Sequence, residues 1–443
     1  MTDNTTIAAP ATAPGEGGIA IIRVSGGLSE QIGKTLFFPR GKCEWESRRM
    51  YYGFIRYNGE TLDECMAVLM RAPGSYTRED VLEFHLHGGV QASRRVMEAI
   101  IAQGAVPAAP GEFTKRAFLN GRIDLSRAEA VMALISASGE SAAKAAVRQL
   151  EGGTASFIRS IQQEVLDLLS SLEAAIDYPD EIDSDLTLEE AANTSEKIAD
   201  KLESACNERN AKILETGLDC VLCGAPNAGK SSLLNCLLGE ERAIVTDIPG
   251  TTRDIVRESI SLDGVRVNLS DTAGIRETGE GIEMIGINNA KRAVKNADLV
   301  LHLIDSSRPP VPEDNKTAVL AEGIPHITVY TKADLPCAVK KKEENSVSVS
   351  VKTGQGIREL EDKIRVFTAS ANETELTQLR HIRLAKEAAG YLRDAAATSR
   401  KTNACDLCSV DLNSALYSLA MITGDRADEK LIDTIFSRFC VGK

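Results

Sequence analysis

A glycine-rich segment near the middle of the chain has the residue types and spacing of a phosphate-binding loop. Residues 224–231 have the sequence G-A-P-N-A-G-K-S, after an apolar run at 218–223 that predicts a buried strand and before a predicted helix at 231–238. Glycines let backbone N–H groups surround phosphate oxygens, and the helix N-terminus adds partial positive charge. Lys230 is then expected to reach the β- and γ-phosphates, and the Ser231 hydroxyl to ligate Mg²⁺.

Further nucleotide-binding motifs follow this loop in a fixed order and together predict a GTP site. They are Thr251-Thr252, Asp271-Thr272-Ala273-Gly274, Thr331-Lys332-Ala333-Asp334 and Ser350-Val351-Lys352. Asp271 can hold Mg²⁺ through water, and Gly274 can offer its N–H group to the γ-phosphate. An Asp-x-x-Gly segment alone would be an ordinary polar turn, so its weight comes from the phosphate loop before it.

The carboxylate of Asp334 predicts guanine rather than adenine, because guanine presents a matching pair of N–H donors. Thr331 stands where this motif usually has Asn, and its hydroxyl can still tie the motif to the phosphate loop. Lys332 would cover the base with its aliphatic stem, and residues 350–352 would support the base edge. The expected GTP contacts are Asn227, Ala228, Gly229, Lys230, Ser231, Ser232, Thr246, Asp247, Ile248, Pro249, Gly250, Thr251, Thr252, Asp271, Thr272, Ala273, Gly274, Thr331, Lys332, Asp334, Ser350, Val351 and Lys352.

The motifs do not single out the residue that orients the attacking water. The position directly after Gly274, which is Gln in Ras-like enzymes, is Ile275 here, and its side chain has no polar group for water. Charged residues nearby are candidates, although most charges on such a segment are simply solvated. These candidates are Arg276, Glu277, Glu280 and Glu283.

Asn227, inside the loop, indicates either a monovalent-cation site or a stabilised turn. Its side-chain carbonyl could bind a cation that supplies the positive charge an arginine finger supplies elsewhere. The segment T-D-I-P-G-T-T at 246–252 could fold its carbonyl oxygens onto the same cation. This second feature favours the cation site.

Length and composition indicate a globular chain of several domains. The chain has 443 residues, of which 43% are hydrophobic and 26% charged. With no long apolar run and no signal-peptide pattern, we expect no membrane span and a cytoplasmic location. The net charge of −13 argues against a broad nucleic-acid-binding surface. RNA contact would then be local, at basic pairs such as Arg48-Arg49 and Arg94-Arg95, or shared with a more basic partner.

The cysteines and histidines offer weak metal-site patterns. Two C-x-x-C pairs, Cys220/Cys223 and Cys405/Cys408, have spacing that zinc sites use. The first pair lies on the predicted buried strand, where the two side chains would point to opposite faces. Reduced thiols are expected in the cytosol, and for the H-x-H pair at 85–87 packing or hydrogen bonding is favoured over metal ligation.

Periodicity along the chain predicts an α+β region, then long helices, then alternating strands and helices, then helices again. In the first region we expect strands at 19–24, 61–70 and 81–87 and a helix at 91–103; the later helices are expected at 126–151, 157–176, 188–217, 373–402, 411–422 and 428–439. The expected fold class is therefore multidomain α/β and α. An N-terminal α+β domain covers 1–119, a discontinuous helical domain covers 120–214 and 369–443, and an inserted Ras-like, doubly wound P-loop G domain covers 215–368.

These motifs resemble the MnmE (TrmE) family of bacterial and organellar tRNA-modification GTPases over almost the whole chain. The resemblance includes residues 6–26, S-Y-T-R-E-D-V-L-E at 75–83, P-G-E-F-T-K-R-A-F-L-N-G-R-I-D-L at 110–125 and I-F-S-R-F-C-V-G-K at 435–443. The terminal C-V-G-K is a specific mark of that family. The chain differs from the family pattern at Glu16, at Pro10, which would interrupt the first strand, at Thr331 and at Val351.

The resemblance implies a particular enzyme. It implies an N-terminal domain that binds a tetrahydrofolate derivative, 5-formyl or 5,10-methylene, and forms a homodimer. It implies a K⁺-stimulated GTPase whose G domains pair during hydrolysis, in a heterotetramer with the FAD- and NADH-dependent partner MnmG. Together the two would add a (carboxymethyl)aminomethyl group to the 5-carbon of the wobble uridine in tRNA, with folate supplying the bridging carbon.

The resemblance also implies roles for individual residues. By resemblance, the folate-binding residues are Arg23, Glu83, Arg122 and Lys443, and the Mg²⁺ ligands are Ser231 and Thr252. The K⁺ ligands are the side chain of Asn227 and the carbonyls of Thr246, Ile248 and Thr251. Glu283 orients the attacking water, and Arg276 is a second candidate for a role in hydrolysis. Each folate residue could instead form a domain-interface salt bridge. Cys440 could be a nucleophile or a buried structural thiol.

Two other functions stay open at this point. A ribosome-assembly GTPase would need a basic RNA-binding groove, and neither the acidic composition nor the C-V-G-K tail supports one. A switch that binds GTP and folate but hydrolyses GTP poorly is the third possibility. Asn227, Thr252 and Glu283 argue against that switch.

Overall fold

The computed structural model describes most of the chain as two compact units. The described residues are 5–178, 180–181, 183–242, 258–271, 292–320, 323–339, 345–368, 375–401 and 405–443. One unit comprises residues 1–132 and 417–443, and the other comprises residues 133–416. Among the described helices, none has both the length and the apolar character needed to cross a bilayer.

The described secondary structure mixes short strands with helices of very different length. The strands are β1 (Ile7–Pro10), β2 (Ile19–Ser25), β3 (Phe37–Pro39), β4 (Met50–Tyr57), β5 (Glu60–Met70), β6 (Val81–His87), β7 (Val106–Pro107), β8 (Leu218–Gly224), β9 (Glu258–Leu262), β10 (Val265–Asp271), β11 (Leu299–Asp305), β12 (His326–Thr331) and β13 (Ser346–Ser348). The helices are α1 (Ser29–Leu36), α2 (Val90–Ala102), α3 (Glu112–Leu119), α4 (Leu125–Ser136), α5 (Glu140–Glu151), α6 (Gly153–Asp177), α7 (Ser184–Ala205), α8 (Glu208–Thr216), α9 (Lys230–Arg242), α10 (Pro312–Leu320), α11 (Ile357–Thr368), α12 (Leu379–Lys401), α13 (Cys405–Thr423) and α14 (Glu429–Phe436).

The first unit is built on a seven-stranded sheet with the order β3-β4-β5-β6-β2-β1-β7. Its neighbouring strands are antiparallel except for the β1–β7 pair, which is parallel. The strands predicted at 19–24, 61–70 and 81–87 are confirmed, but β3, β4 and β7 were not predicted. Pro10 ends β1 instead of interrupting it, so that expectation is wrong: Pro10 pairs with Ile22, and the next N–H group, that of Ala11, donates to the carbonyl of Ile21 at 2.7 Å.

The second unit contains a six-stranded sheet with the order β13-β12-β11-β8-β10-β9. All pairs are parallel except the edge pair β9–β10. Strand β8 is central, and its side chains enter apolar clusters on both faces of the sheet, Cys220 and Leu222 on one face and Val221 and Cys223 on the other. This doubly wound sheet, together with the long helices, confirms the multidomain α/β and α fold class.

Two segments that the periodicity predicts as single helices are each broken in two, and local polar geometry explains both breaks. The helix expected at 126–151 is interrupted because Gly139 is extended and its Cα packs against Gly264, where an added Cβ would lie 2.3 Å from the carbonyl oxygen. Ser141 then donates its N–H group to that same oxygen at 2.9 Å. The helix expected at 188–217 breaks before Asn207, whose side chain caps α8 by accepting from the Asn210 N–H group at 3.0 Å.

Gly139→Ala should destabilise the protein, because the new methyl group would meet backbone and not a side chain that can move. We expect the free energy of unfolding to fall by about 1–3 kcal/mol, measured by chemical denaturation. Gly390, inside α12, is the control, since an added Cβ there has open space. Gly390→Ala should be neutral or stabilise by about 0.5–1 kcal/mol. A stable Gly139→Ala protein would contradict the close packing of Gly139 on Gly264.

Candidate functional site

The predicted phosphate loop joins the carboxyl end of β8 to the start of α9. Gly229 has a φ of 89°, in the left-handed region that glycine adopts without steric cost. Asn227 also has a positive φ, 62°, which Asn tolerates and which suits a turn. The ammonium group of Lys230 donates to the carbonyls of Gly224 at 2.9 Å and Ala225 at 3.0 Å. Lys230 therefore lies folded over the loop, and it is largely buried.

Ser231 and Asp271, two residues predicted to surround Mg²⁺, are in direct contact. The Ser231 hydroxyl donates to the Asp271 carboxylate at 2.9 Å. Asp271 ends β10, which pairs in parallel with β8, so both groups lie at the same edge of the sheet. A hydroxyl and a carboxylate are oxygen ligands of the kind that Mg²⁺ prefers.

The predicted tie between the base motif and the phosphate loop is present. The Thr331 hydroxyl donates to the Ala228 carbonyl at 2.7 Å in a buried position, and the Ile304 carbonyl lies 3.3 Å from the same hydroxyl. A threonine can therefore make the loop contact in the position where Asn is usual.

Asp334 is exposed at the end of the base motif and is held by Ser350. The Ser350 hydroxyl donates to the Asp334 carboxylate at 2.7 Å. This hydrogen bond is the main reason that the pKa of Asp334 is lowered from its usual value. Asp334 is thus a fixed, ionised acceptor, which is the group needed to receive two N–H donors from guanine.

Several predicted site residues lie outside the described residues, and one unpredicted residue joins the site. Outside lie Thr246, Asp247, Ile248, Pro249, Gly250, Thr251, Thr252, Thr272, Ala273, Gly274, Arg276 and Glu283. The unpredicted residue is Asp305, whose carboxylate lies 2.6 Å from the ammonium group of Lys332. Its sequence signal was an apolar run, L-V-L-H-L-I, that ends abruptly in Asp.

In the first unit, Arg23 and Glu83 face each other on paired strands. They are register partners on β2 and β6, and the Arg23 Nε donates to the Glu83 carboxylate at 2.8 Å. His85 Nε2 lies 3.2 Å from the other carboxylate oxygen. Burial of Glu83 opposes ionisation, but the hydrogen bonds of His85 and Arg23 outweigh it, so the pKa of Glu83 is lowered.

Two aromatic residues, Tyr76 and Phe113, connect the remaining predicted folate residues to this pair. The Arg23 guanidinium lies 5.5 Å from the Tyr76 ring centre and 5.7 Å from that of Phe113, and Arg122 lies 4.6 Å from the Tyr76 ring. The Phe113 N–H group donates to the carbonyl of Lys443 at 3.2 Å. Arg23, Glu83, Arg122 and Lys443 thus lie around Tyr76 and Phe113. Sequence reasoning did not single out either ring, although both belong to stretches that carry the family resemblance, 75–83 and 110–125.

The thiols and histidines show packing and hydrogen bonding. Burial raises the pKa of Cys223 to about 12 and raises the pKa of Cys220 further, so both thiols are protonated at neutral pH. His87 Nδ1 lies 2.8 Å from Asp63. Within the described ranges, no cluster of three or more metal-ligating side chains is found. Cys440 is exposed, so the buried-thiol interpretation of that residue is wrong.

The second unit has the architecture of a P-loop GTPase. Its phosphate loop follows the central parallel strand, a carboxylate lies beside the loop serine, and a carboxylate-bearing base motif follows β12, two strands away.

Comparison with known proteins identifies the family. Residues 125–440 match the MnmE helical domain, and residues 6–122 match the GTP-binding protein TrmE N-terminus. A protein of Lactiplantibacillus plantarum named tRNA modification GTPase MnmE is 40% identical over 463 residues, covering 100% of this chain and 99% of the relative. The protein of that name in Geobacillus kaustophilus is 42% identical over 465 residues, covering 100% of both. The chain therefore belongs to the MnmE family of tRNA modification GTPases.

Thr331→Val should weaken nucleotide binding, because it removes the hydroxyl that holds the phosphate loop and keeps the side-chain shape. A buried carbonyl left without its donor costs about 1–3 kcal/mol. We expect the Kd for a fluorescent GDP analogue to rise roughly tenfold or more. Thr331→Ser keeps the hydroxyl and should bind like the wild type. Wild-type affinity in the valine variant would show that this hydrogen bond does not shape the site.

Proposed function

We propose that this chain is the GTP-hydrolysing subunit of a complex that modifies the 5-carbon of the wobble uridine in tRNA. The added group would be of the (carboxymethyl)aminomethyl type, with its bridging carbon supplied by a tetrahydrofolate derivative. The observation that carries the proposal is the coexistence, in a chain that matches MnmE proteins from end to end, of the phosphate loop with the arginine–glutamate cluster of the first unit.

The groups proposed to bind GTP are already held close together by hydrogen bonds. Thr331 couples the base motif to the loop at 2.7 Å, so base and phosphate contacts are positioned together. Lys230 is folded onto loop carbonyls and would exchange these for the β- and γ-phosphates of GTP. Ser231 and Asp271 would offer hydroxyl and carboxylate oxygens to Mg²⁺, which is the type of ligand that this cation prefers.

Hydrolysis would be assisted by a monovalent cation next to the phosphates. The side chain of Asn227 and the carbonyls of Thr246, Ile248 and Thr251 would hold K⁺, and Ser231 and Thr252 would hold Mg²⁺. These cations would neutralise the charge that develops on the phosphates during transfer. Glu283 would orient the water, with Arg276 as the second candidate, because Ile275 cannot do so.

GTP hydrolysis should be several-fold or more faster in KCl than in NaCl at equal ionic strength. Asn227→Gly should abolish this difference while leaving GDP affinity within roughly threefold of the wild-type value, because glycine removes the cation ligand and adopts the positive φ of this position without steric cost. The measurement is phosphate release at saturating GTP in both salts. Equal rates of the wild-type protein in the two salts would eliminate cation assistance.

Folate binding would use the cluster around Tyr76 and Phe113. Glu83, fixed and ionised by Arg23 and His85, would accept N–H bonds from the pterin. Arg122 and Lys443 carry positive charge suited to the glutamate carboxylates of folate. The ring of Tyr76, which is partly exposed, would offer a flat apolar face for the pterin system, whereas Phe113 is fully buried beneath the cluster.

Glu83→Gln should weaken binding of 5-formyltetrahydrofolate by about tenfold or more, since a neutral amide is a poorer acceptor for charged or polar N–H groups. The measurement is calorimetric titration of the full chain. Glu79→Gln is the matched control, because Glu79 also pairs with an arginine of this unit, Arg116, at 3.2 Å. If both substitutions weaken folate equally, or neither does, Glu83 is not a pterin ligand.

The proposed assembly is a homodimer that joins an FAD- and NADH-dependent MnmG-type partner in a heterotetramer and acts on tRNA. An acidic chain with net charge −13 fits a subunit that shares RNA binding with a more basic partner. We also propose that the G domain, residues 215–368, is inserted in a helical domain formed by 120–214 and 369–443. Nucleotide state would then be converted into movement of helices.

A further inference from the structure

Asp305 is a buried carboxylate at the end of β11 that lies against the base motif. It is the register partner of Thr331 on β12, and its side chain is 7% exposed. One carboxylate oxygen receives the N–H group and the hydroxyl of Ser307 at 3.0 and 2.6 Å. The other lies 2.6 Å from the ammonium group of Lys332.

Lys332 is consequently held at both ends. Its backbone has a φ of 57°, a left-handed conformation that a lysine keeps only where neighbouring contacts impose it. Ser306 supplies such contacts by donating its N–H group and hydroxyl to the Thr331 carbonyl at 3.1 and 2.7 Å. The Ala333 N–H group donates to Val349 at 3.1 Å. At its far end, the half-exposed side chain is anchored by Asp305.

The charge on Asp305 suits this anchoring role. Burial opposes its ionisation, but the hydrogen bonds from Lys332 and Ser307 prevail and hold the pKa of Asp305 below its usual value. A second cation, Arg308, has its Nε 3.9 Å from the Asp305 carboxylate. Its Nη1 is closer to a different carboxylate, that of Asp314, at 3.1 Å. Lys332 is therefore the nearer of these two cations to Asp305.

We infer that Asp305 is a positioning residue of the guanine site, which fixes the methylene stem of Lys332 against the face of the base. This inference rests on the proposed GTP binding. A free lysine loses much rotamer freedom when a ligand orders it, whereas a lysine already anchored by Asp305 loses little.

A simpler role for Asp305 would be to cap the end of β11 without influence on the nucleotide. The two roles differ in their dependence on Lys332. If Asp305 acts through Lys332, its substitution has no further effect once the lysine stem is gone. If Asp305 only stabilises the strand end, the two substitutions act independently.

The test is a double-mutant cycle on the full chain with Asp305→Asn and Lys332→Ala, read as the Kd for a fluorescent GDP analogue. Asp305→Asn should raise Kd by about tenfold, Lys332→Ala by at least as much, and the double variant no more than Lys332→Ala alone. Lys332→Met removes the same ion pair by changing the half-exposed lysine instead of the buried aspartate. Methionine keeps an apolar stem but has no ammonium group, so this variant should raise Kd by the same factor as Asp305→Asn. This variant decides the question if Asp305→Asn does not fold.

Asp298→Asn is the matched control, because Asp298 directly precedes β11, at the opposite end of the strand from Asp305, and pairs with a different lysine, Lys212, at 2.7 Å. It should leave Kd within about twofold and combine multiplicatively with Lys332→Ala. If Asp305→Asn and Lys332→Ala raise Kd independently, so that their effects multiply in the double variant, the inference is overturned. Wild-type affinity of Lys332→Met would overturn it too. Neither result would contradict GTP binding itself. A wild-type chain without guanine-nucleotide affinity would instead overturn the proposed function.

Discussion

The nucleotide module depends on one strand, β8, that hydrogen-bonds to parallel neighbours on both sides. Its partners are β10 and β11, and its side chains are buried on both faces of the sheet. Because parallel strands end at the same edge, this pairing brings the phosphate loop, Asp271 and Asp305 to that edge from distant parts of the chain. The relative positions of these three groups depend on the register of β8.

At that edge, polar side chains bond to one another and to backbone across strand ends. Thr331 holds Ala228, Ser306 holds Thr331, Asp305 holds Lys332, and Ser350 holds Asp334. These contacts are short-range and directional, whereas the apolar clusters beneath them are not. The apolar core therefore sets which strands meet, and the hydroxyls and carboxylates set where each ligand-binding group points.

Local pattern and residue chemistry were sufficient to predict several contacts of the candidate nucleotide site from the sequence. The apolar run into β8, the loop glycines and the Thr331 tie are all evident from residue type and spacing. The breaks at Gly139 and Asn207 were not, because helical periodicity continues across both positions. The first break depends on Gly264, which is distant in sequence. Asp305 was missed for a related reason: its partner Lys332 directly follows β12, and only the sheet order places β12 beside β11.

The buried thiols of β8 have a consequence for how opening of the module could be followed. Cys220 and Cys223 lie on opposite faces of the central strand, and burial keeps both protonated at neutral pH. A thiol reacts as its thiolate and only where reagent can reach it. Exposed Cys337 and Cys440 would be modified from the folded state, whereas β8 would be modified only when the sheet separates. The strand that supports the phosphate loop thus carries its own pair of chemical reporters, one for each face of the sheet.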